Sequence, residues 1–239
     1  MVDEILSRCG LCRLGRITYP EAAALQQKLV TARFEDRIGD ILLVLEHPPT
    51  ITLGKFAKVE NILLPPEVLA TRGIGIYTSN RGGDVTFHCP GQLLIHPVMD
   101  LKRKPGGLRG FITNLEEVAL RVLWGYDIPA ERWSEHPGLW VKGKQIGALG
   151  LHFSHGISEH GLSLNVDPDL LSFEVINLCG MPGKVPASIA SELGKNITMT
   201  EVEEKVIRSF SEVFSVEVEP ISRENLEGAC SEPEAARMV

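Results

Sequence analysis

A thiol placed just beyond an apolar run is the residue of this chain best suited to covalent chemistry. Cys179 follows Val175 and Ile176 and precedes Gly180, so a strand end would present it to a carbonyl with a flexible residue behind it. A buried, inert cysteine is the other reading of this segment taken alone. Three more segments are richer in glycine and polar side chains than their apolar surroundings require. RGGDVTFHCPGQ at 81–92 joins Arg81 and His88 to consecutive glycines that let backbone approach a ligand closely. It lacks the GK[ST] and GxGxxG patterns of phosphate-binding loops, and a bulged turn is the bland alternative. GKQIGALG at 143–150 withholds bulk at Gly147 and Gly150, which predicts a groove for something thin such as an alkyl chain, or else a β-bulge. In HGLSLN at 160–165, Leu162, Leu164 and Val166 alternate with Ser163 and Asn165, so one face of a strand is polar next to His160.

The elements that must position these residues follow from periodicity. Helices are predicted over residues 20–36, 65–72 and 110–124, the first two opened by proline. A final helix is predicted from Thr200, where Thr200 and Glu203 have capping-box spacing and Val202, Val206, Ile207, Phe210, Val213 and Phe214 form a buried stripe. Short apolar runs at 41–45, 50–53, 74–77, 93–95, 139–141, 146–153, 162–166 and 216–218 read as strands. Strands and helices mix without strict βαβ alternation. That predicts an α+β fold with a mixed, largely antiparallel sheet and flanking helices. One catalytic domain is expected over 1–220, with a polar, acidic and frayed tail over 221–239.

Composition narrows the function. The 239 residues carry 31 acidic and 24 basic side chains, net −7, and no basic stripe of the kind that binds nucleic acid. Lys102, Arg103, Lys104 and Arg109 form the one local basic patch, a solvated loop or a contact for an acidic partner. No apolar run reaches the ~18–20 residues that span a bilayer. The start MVDEILSRCG has acids where a secretory signal has lysines. Five scattered cysteines make a poor disulfide framework, so the expected location is cytoplasmic. Cys9 and Cys12 form a CxxC without the second pair that a metal knuckle needs.

Taken in order, RGGDVTFHCPGQ, PGLWVKGKQIGALGL, HGLSLNV and LCGM resemble the lipoyl(octanoyl) transferase family, the octanoyl-[acyl-carrier-protein]:protein N-octanoyltransferases; EHPPTITLGK at 46–55 resembles it too. The resemblance implies the α+β fold of biotin and lipoate protein ligases. It implies an octanoyl group leaving the thioester of an acyl carrier protein, held on Cys179, then joined to a lysine of a lipoyl domain of 2-oxoacid dehydrogenases or of glycine-cleavage H protein. Thioester exchange is nearly isoenergetic, so no ATP, cofactor or metal is implied. By carry-over Arg81, Gly82, Gly83, Asp84, Val85, Thr86, Phe87 and His88, then Ala148, Leu149 and Gly150, then Gly161, Leu162 and Ser163 with His160 and Asn165 beside them, bind substrate. The family places a cysteine-activating lysine directly before the isoleucine of the 144–154 strand. Here that position is Gln145, so Lys144 takes the role only if the backbone bulges. A lowered thiol pKa, an oxyanion site at the amide near Gly180 and a second thiol at Cys89 are further expectations. An ATP-dependent lipoate ligase-like enzyme and a non-catalytic acyl-carrier-binding protein are the competing readings. The CG and HGxxLN segments favour the transferase.

Overall fold

A computed structural model describes residues 7–133 and 138–231. In chain order the elements are β1 (Ser7–Arg16), α1 (Tyr19–Phe34), β2 (Asp40–Glu46), β3 (Thr50–Leu53), α2 (Pro66–Thr71), β4 (Gly75–Thr78), β5 (Val85–His88) and β6 (Gln92–Val98). There follow α3 (Gly107–Trp124), β7 (Glu131–Arg132), β8 (Gly138–Val141), β9 (Lys144–Ser154), β10 (Ile157–Asn165), α4 (Ile189–Leu193), α5 (Met199–Phe214), β11 (Val216–Pro220) and α6 (Arg223–Ser231). An eight-stranded sheet runs β11-β1-β2-β6-β10-β9-β8-β7, and a three-stranded sheet runs β4-β3-β5. The β11–β1, β1–β2 and β3–β4 pairs are parallel and the remaining ladders antiparallel. This is the expected mixed, largely antiparallel α+β architecture.

Alternation along the strands decides what each face meets. Leu42 and Val44 of β2, Leu93 and Ile95 of β6, and Leu162 and Leu164 of β10 pack with Leu115 and Val118 of α3 and Val206 and Phe210 of α5. The intervening Ile41, Leu43, Leu45 and Leu94 pack with Leu25 and Leu29 of α1. Cys9 belongs to the first core and Cys12 to the second, so the CxxC lies across a strand with its sulfurs on opposite faces. The small sheet builds a third core, in which Ile51, Val85 and Phe87 meet Phe173, Val175, Ile176 and Leu178. Cys89 is buried in that same core, and burial pushes its thiol up to about 12, which makes it an inert filler rather than a second reactive thiol.

Several expectations are corrected. α5 is capped by Thr198, whose Oγ1 accepts from the Glu201 N–H at 3.2 Å. Two overlapping T-x-x-E registers exist, and the earlier one starts the helix two residues sooner. Strand β1 had no counterpart in the periodicity reading, because it is covered on both faces and its pattern does not alternate. Residues 223–231, expected to fray, form α6, which buries Leu226 against α1 and β1; residues 232–239 of the expected tail, with 1–6 and 134–137, lie outside the described residues. The basic patch is largely spent on ion pairs. Arg103 reaches Asp36 at 2.7 Å and Asp100 at 3.1 Å, and Lys104 reaches Asp40 at 2.8 Å. Among the described residues no helix is long and apolar enough to cross a membrane.

Phe210 is fully buried between α3, α5 and the large sheet. Phe210→Ala is expected to lower the unfolding free energy by about 3–5 kcal/mol, read from the urea midpoint.

Candidate active site

The nucleophile candidate sits on a turn that only a specific neighbourhood can hold. Cys179 adopts φ 51° and ψ 31°, a left-handed conformation that a non-glycine residue adopts at a cost. Buried Leu178 anchors the turn in the third core. Behind the sulfur, Gly180 has φ +75°, and a Cβ there would lie 2.4 Å from Asp84 Oδ2. Asp84 is itself fixed, accepting from the N–H groups of Lys58 at 3.0 Å and Val85 at 2.7 Å and from Asn61 Nδ2 at 2.8 Å. Asn177 N–H donates to the Asn61 carbonyl at 2.8 Å. The turn is thus clamped to the 81–88 segment through Asp84 and Asn61. Gly180 N–H donates to the Asn177 carbonyl at 3.0 Å, so it closes this turn and is not the free oxyanion donor expected.

Gln145, not Lys144, meets the sulfur. Its Nε2 donates to Cys179 Sγ at 3.2 Å, and Sγ lies 3.7 Å from its Oε1. Lys144 opens β9 exposed to solvent, as alternation along a strand requires. The β8–β9 ladder does carry an irregularity, but between Leu139 and Trp140, where it passes over Ile146; it comes after Gln145 and leaves Lys144 outside. Gln145 is buried, and its backbone straps the segment after the nucleophile. Its N–H donates to Val185 O at 3.0 Å, and its carbonyl accepts from Ala187 N–H at 2.8 Å.

Beside the sulfur is a cavity of two lobes that share Thr86, Ala148 and Ser163. One lobe, about 300 Å³ with the space open to solvent, holds Cys179 and Gln145 with Phe87, Phe173, Ile176, Gln92 and Asn165. The other, about 400 Å³ on the same measure, runs between the sheets past Tyr19, Arg81, Leu94, Leu149 and Leu162, with His47, His88, His96 and His160. Ser163 and Asn165, the polar face of β10, thus line the cavity while Leu162 and Leu164 also serve the core. Gly147 lines the first lobe and Gly150 the second, as the groove expected of them requires, and each also has a close neighbour. A Cβ on Gly147 would meet Ser163 O at 2.9 Å, and one on Gly150 would meet Arg81 Cδ at 2.8 Å. Gly150 makes room for the arginine.

Arg81 is buried. Its Nη2 donates to Thr52 O at 2.7 Å, its Nε to Thr52 Oγ1 at 3.1 Å and its Nη1 to Gly82 O at 2.9 Å. Burial lowers its pKa, while the charges of Cys179, Tyr19 and Asp84 act the other way. Burial pushes the Cys179 thiol up; the Gln145 hydrogen bond and the Arg81 charge pull it down, and Asp84 opposes them. Burial therefore acts against the lowered thiol pKa expected. The four histidines are held neutral. Burial first, then His47, brings His88 down to about 3; burial first, then Arg81, brings His160 to about 3; burial lowers His47 and His96 as well. His88 does not serve the sulfur. Its Nδ1 donates to Gln92 Oε1 at 2.7 Å, and Gln92 Nε2 donates in turn to Asn165 Oδ1 at 2.9 Å. His160 Nε2 lies 2.5 Å from Asn80 Oδ1. Among the described residues no group of side chains is arranged for a metal ion.

This fold, with a cysteine lining a cavity between two sheets, can be set against known proteins. The chain matches the lipoyl protein ligase A/B catalytic domain over residues 18–211. It is 44% identical to an octanoyltransferase of Chloroflexus aggregans, over 85% of this chain and 93% of that protein. The chain belongs to the octanoyltransferase family. An octanoyltransferase of Desulforamulus reducens is 37% identical, over 90% of this chain and 95% of its own. A bi-partite lipoate protein ligase from Thermoplasma acidophilum superposes with a TM-score of 0.72 at 16% identity, over 94% and 91% of the two chains, which establishes the shared fold.

Within this octanoyltransferase, the carried-over residues Arg81, Thr86, Phe87, His88, Ala148, Leu149, Gly150, His160, Gly161, Leu162, Ser163 and Asn165 gather around the two lobes. Gly82, Gly83, Asp84 and Val85 do not line them. Gly82 donates its N–H to Leu151 O, the Gly83 carbonyl accepts from Phe56, and Val85 is buried in the small sheet. Sequence reasoning did not assign Gln145, Tyr19, Thr52, His47, Gln92, Leu94 or His96. His47 and Thr52 lie in the EHPPTITLGK segment and Gln92 ends RGGDVTFHCPGQ, so those three carried a signal; Tyr19 and Leu94 read as ordinary core residues.

Gly180→Ala is expected to lower the unfolding free energy by about 1–3 kcal/mol in a urea titration and to slow acylation of Cys179 at least ~10-fold, because backbone strain and the Asp84 clash displace the sulfur. The neutral histidines set an acid limit. Above ~6.5 they are neutral in both the folded and unfolded states and contribute nothing. As pH falls from ~6.5 towards the folded value, the unfolded chain takes up protons that the fold refuses, and stability drops. At pH 5 His160 alone is expected to remove about 2 kcal/mol. Thermal melts should fall between pH 7 and 5, and His160→Asn should flatten that slope.

Proposed function

We propose that this octanoyltransferase takes an octanoyl group from the phosphopantetheine thioester of an acyl carrier protein and holds it on Cys179. It then passes the group to a lysine amine of a lipoyl domain of a 2-oxoacid dehydrogenase or of glycine-cleavage H protein. The observation that carries this reading is the placement of Cys179 Sγ, on a strained turn in the wall of one lobe, next to a second lobe that shares Thr86, Ala148 and Ser163 with it and is walled by Leu94, Leu149 and Leu162 beside buried Arg81. A chain of eight carbons gains ~0.8 kcal/mol for each methylene it removes from water, and a closed slot between two sheets sets how many fit. Relatives named octanoyltransferases that cover most of the chain support the donor and acceptor. The place of work is the cytoplasm on this reading, supported by five cysteines that are all unpaired.

The two half-reactions need no nucleotide. In the first, one thioester is exchanged for another; in the second, a thioester gives an amide, which is downhill. Incubation with octanoyl-acyl carrier protein is expected to add the mass of one octanoyl group to the protein without ATP. A lipoyl domain added afterwards should remove it and gain it. Cys179→Ala should show no adduct. An adduct that requires ATP, or that survives in Cys179→Ala, would favour an adenylating ligase instead.

A further inference from the structure

One amide makes both contacts to the nucleophile. Gln145 offers Nε2–H to Cys179 Sγ at 3.2 Å, and the S–H can point to Oε1 at 3.7 Å. A carboxamide carries a donor and an acceptor and does not titrate. It can therefore accept from the thiol and donate to the thiolate by a small rotation, without exchanging a proton with either. The groups around the sulfur from each packed element are few. The 81–88 segment brings the charges of Arg81 and Asp84; β9 brings the amide of Gln145, and β6 and β10 bring those of Gln92 and Asn165 to the same lobe. Asp84 is committed to the Lys58, Val85 and Asn61 donors, all facing away from a role as base. Arg81 makes four hydrogen bonds to Thr52 and the Gly82 carbonyl, all neutral acceptors, and makes no salt bridge among the described residues. Its charge is buried, with the Asp84 carboxylate nearby and Cys179 the group on which a further negative charge can form.

We propose that Gln145 is a positioning residue that holds the Cys179 sulfur in both protonation states while buried Arg81 supplies the balancing charge, so that the nucleophile works with no titrating side chain as its partner. The proposal deepens the octanoyl-transfer reading and takes its substrates from it. In the first step the sulfur–acyl bond forms, the bond to the pantetheine sulfur breaks, and the Cys179 proton ends on the departing thiol. In the second the lysine amine arrives uncharged, its nitrogen–acyl bond forms, the bond to Cys179 breaks, and the amine proton ends on the cysteine sulfur. Gln145 neither takes nor gives a proton in either step. Arg81 faces the negative charge that builds on sulfur along the way.

The test is the pH profile of Cys179 alkylation by iodoacetamide, followed by peptide mass mapping so that the other four cysteines are separated. It is paired with single-turnover acylation by octanoyl-acyl carrier protein. The wild type is expected to show one ionisation with its midpoint above the ~8.5 of a free cysteine. Gln145→Lys should bring the midpoint down by about one unit or more and speed alkylation at pH 7 roughly tenfold, since a charge now faces the sulfur. Gln145→Met keeps the length without the polar atoms. It should leave one ionisation, move it upward, and cut the alkaline plateau of acylation about tenfold. A wild-type midpoint below 7, or a second ionisation, would reveal a titrating partner and overturn the proposal, and the wild-type profile alone decides this even where a variant misfolds. An unchanged acylation plateau in Gln145→Met would sink the positioning role. Alkylation needs no acyl donor, so a correct alkylation profile without any octanoyl adduct would fault the transfer reading and leave Gln145's role standing.

Discussion

The burial of one guanidinium organises this site. Arg81 lies between the small sheet and the large one, with its donors on Thr52 of β3 and on the carbonyl of Gly82. A buried cation costs several kcal/mol unless its donors are satisfied and an opposite charge is near. Four hydrogen bonds hold the guanidinium here, and the Asp84 carboxylate acts on it from nearby without forming an ion pair. Everything around the arginine conforms to that. Gly150 has no side chain because a Cβ would strike the Arg81 stem. His160 is kept neutral in part by the same charge, and His88 more weakly. Cys179 is the group on which a negative charge would be welcome.

The nucleophile is correspondingly quiet until needed. Burial keeps its proton on, against the pull of Gln145 and Arg81. A thiol at rest resists oxidation and stray electrophiles better than a thiolate does. The strained turn and its Asp84–Asn61 clamp hold the sulfur where the lobe opens, so geometry supplies part of what a resting thiolate would otherwise supply.

The fold delivers these parts from distant stretches of chain. β3 and β5 bring Thr52, Thr86 and His88 to one side. β9 and β10 bring Gln145, Ala148, Ser163 and Asn165 to the other, with their alternate side chains committed to the core under α3 and α5. The segment 170–180 closes the mouth by packing Phe173, Val175 and Leu178 onto the small sheet. Displacing any of these three layers would separate sulfur, amide and guanidinium, although no two of them are close in sequence.

Much of this was legible in the residues themselves. The periodic stripes of α3 and α5, the strand runs and the polar face of β10 are local patterns, set by side-chain size and by the 3.6- and 2-residue repeats. The three glycine-rich segments and the single well-placed thiol named the chemistry, because type and order alone make such a set. What a linear reading could not supply was contact. Whether Lys144 or Gln145 meets Cys179 depends on where a ladder irregularity falls, and it falls after Gln145. Whether the thiol is charged depends on the balance of burial, an amide and a guanidinium brought from three parts of the chain. That Gly150 both lines the cavity and seats the Arg81 side chain depends on the segment before β5 lying against β9. Distances of a few ångströms between residues far apart in sequence decided each of these, and only the packed structure sets them.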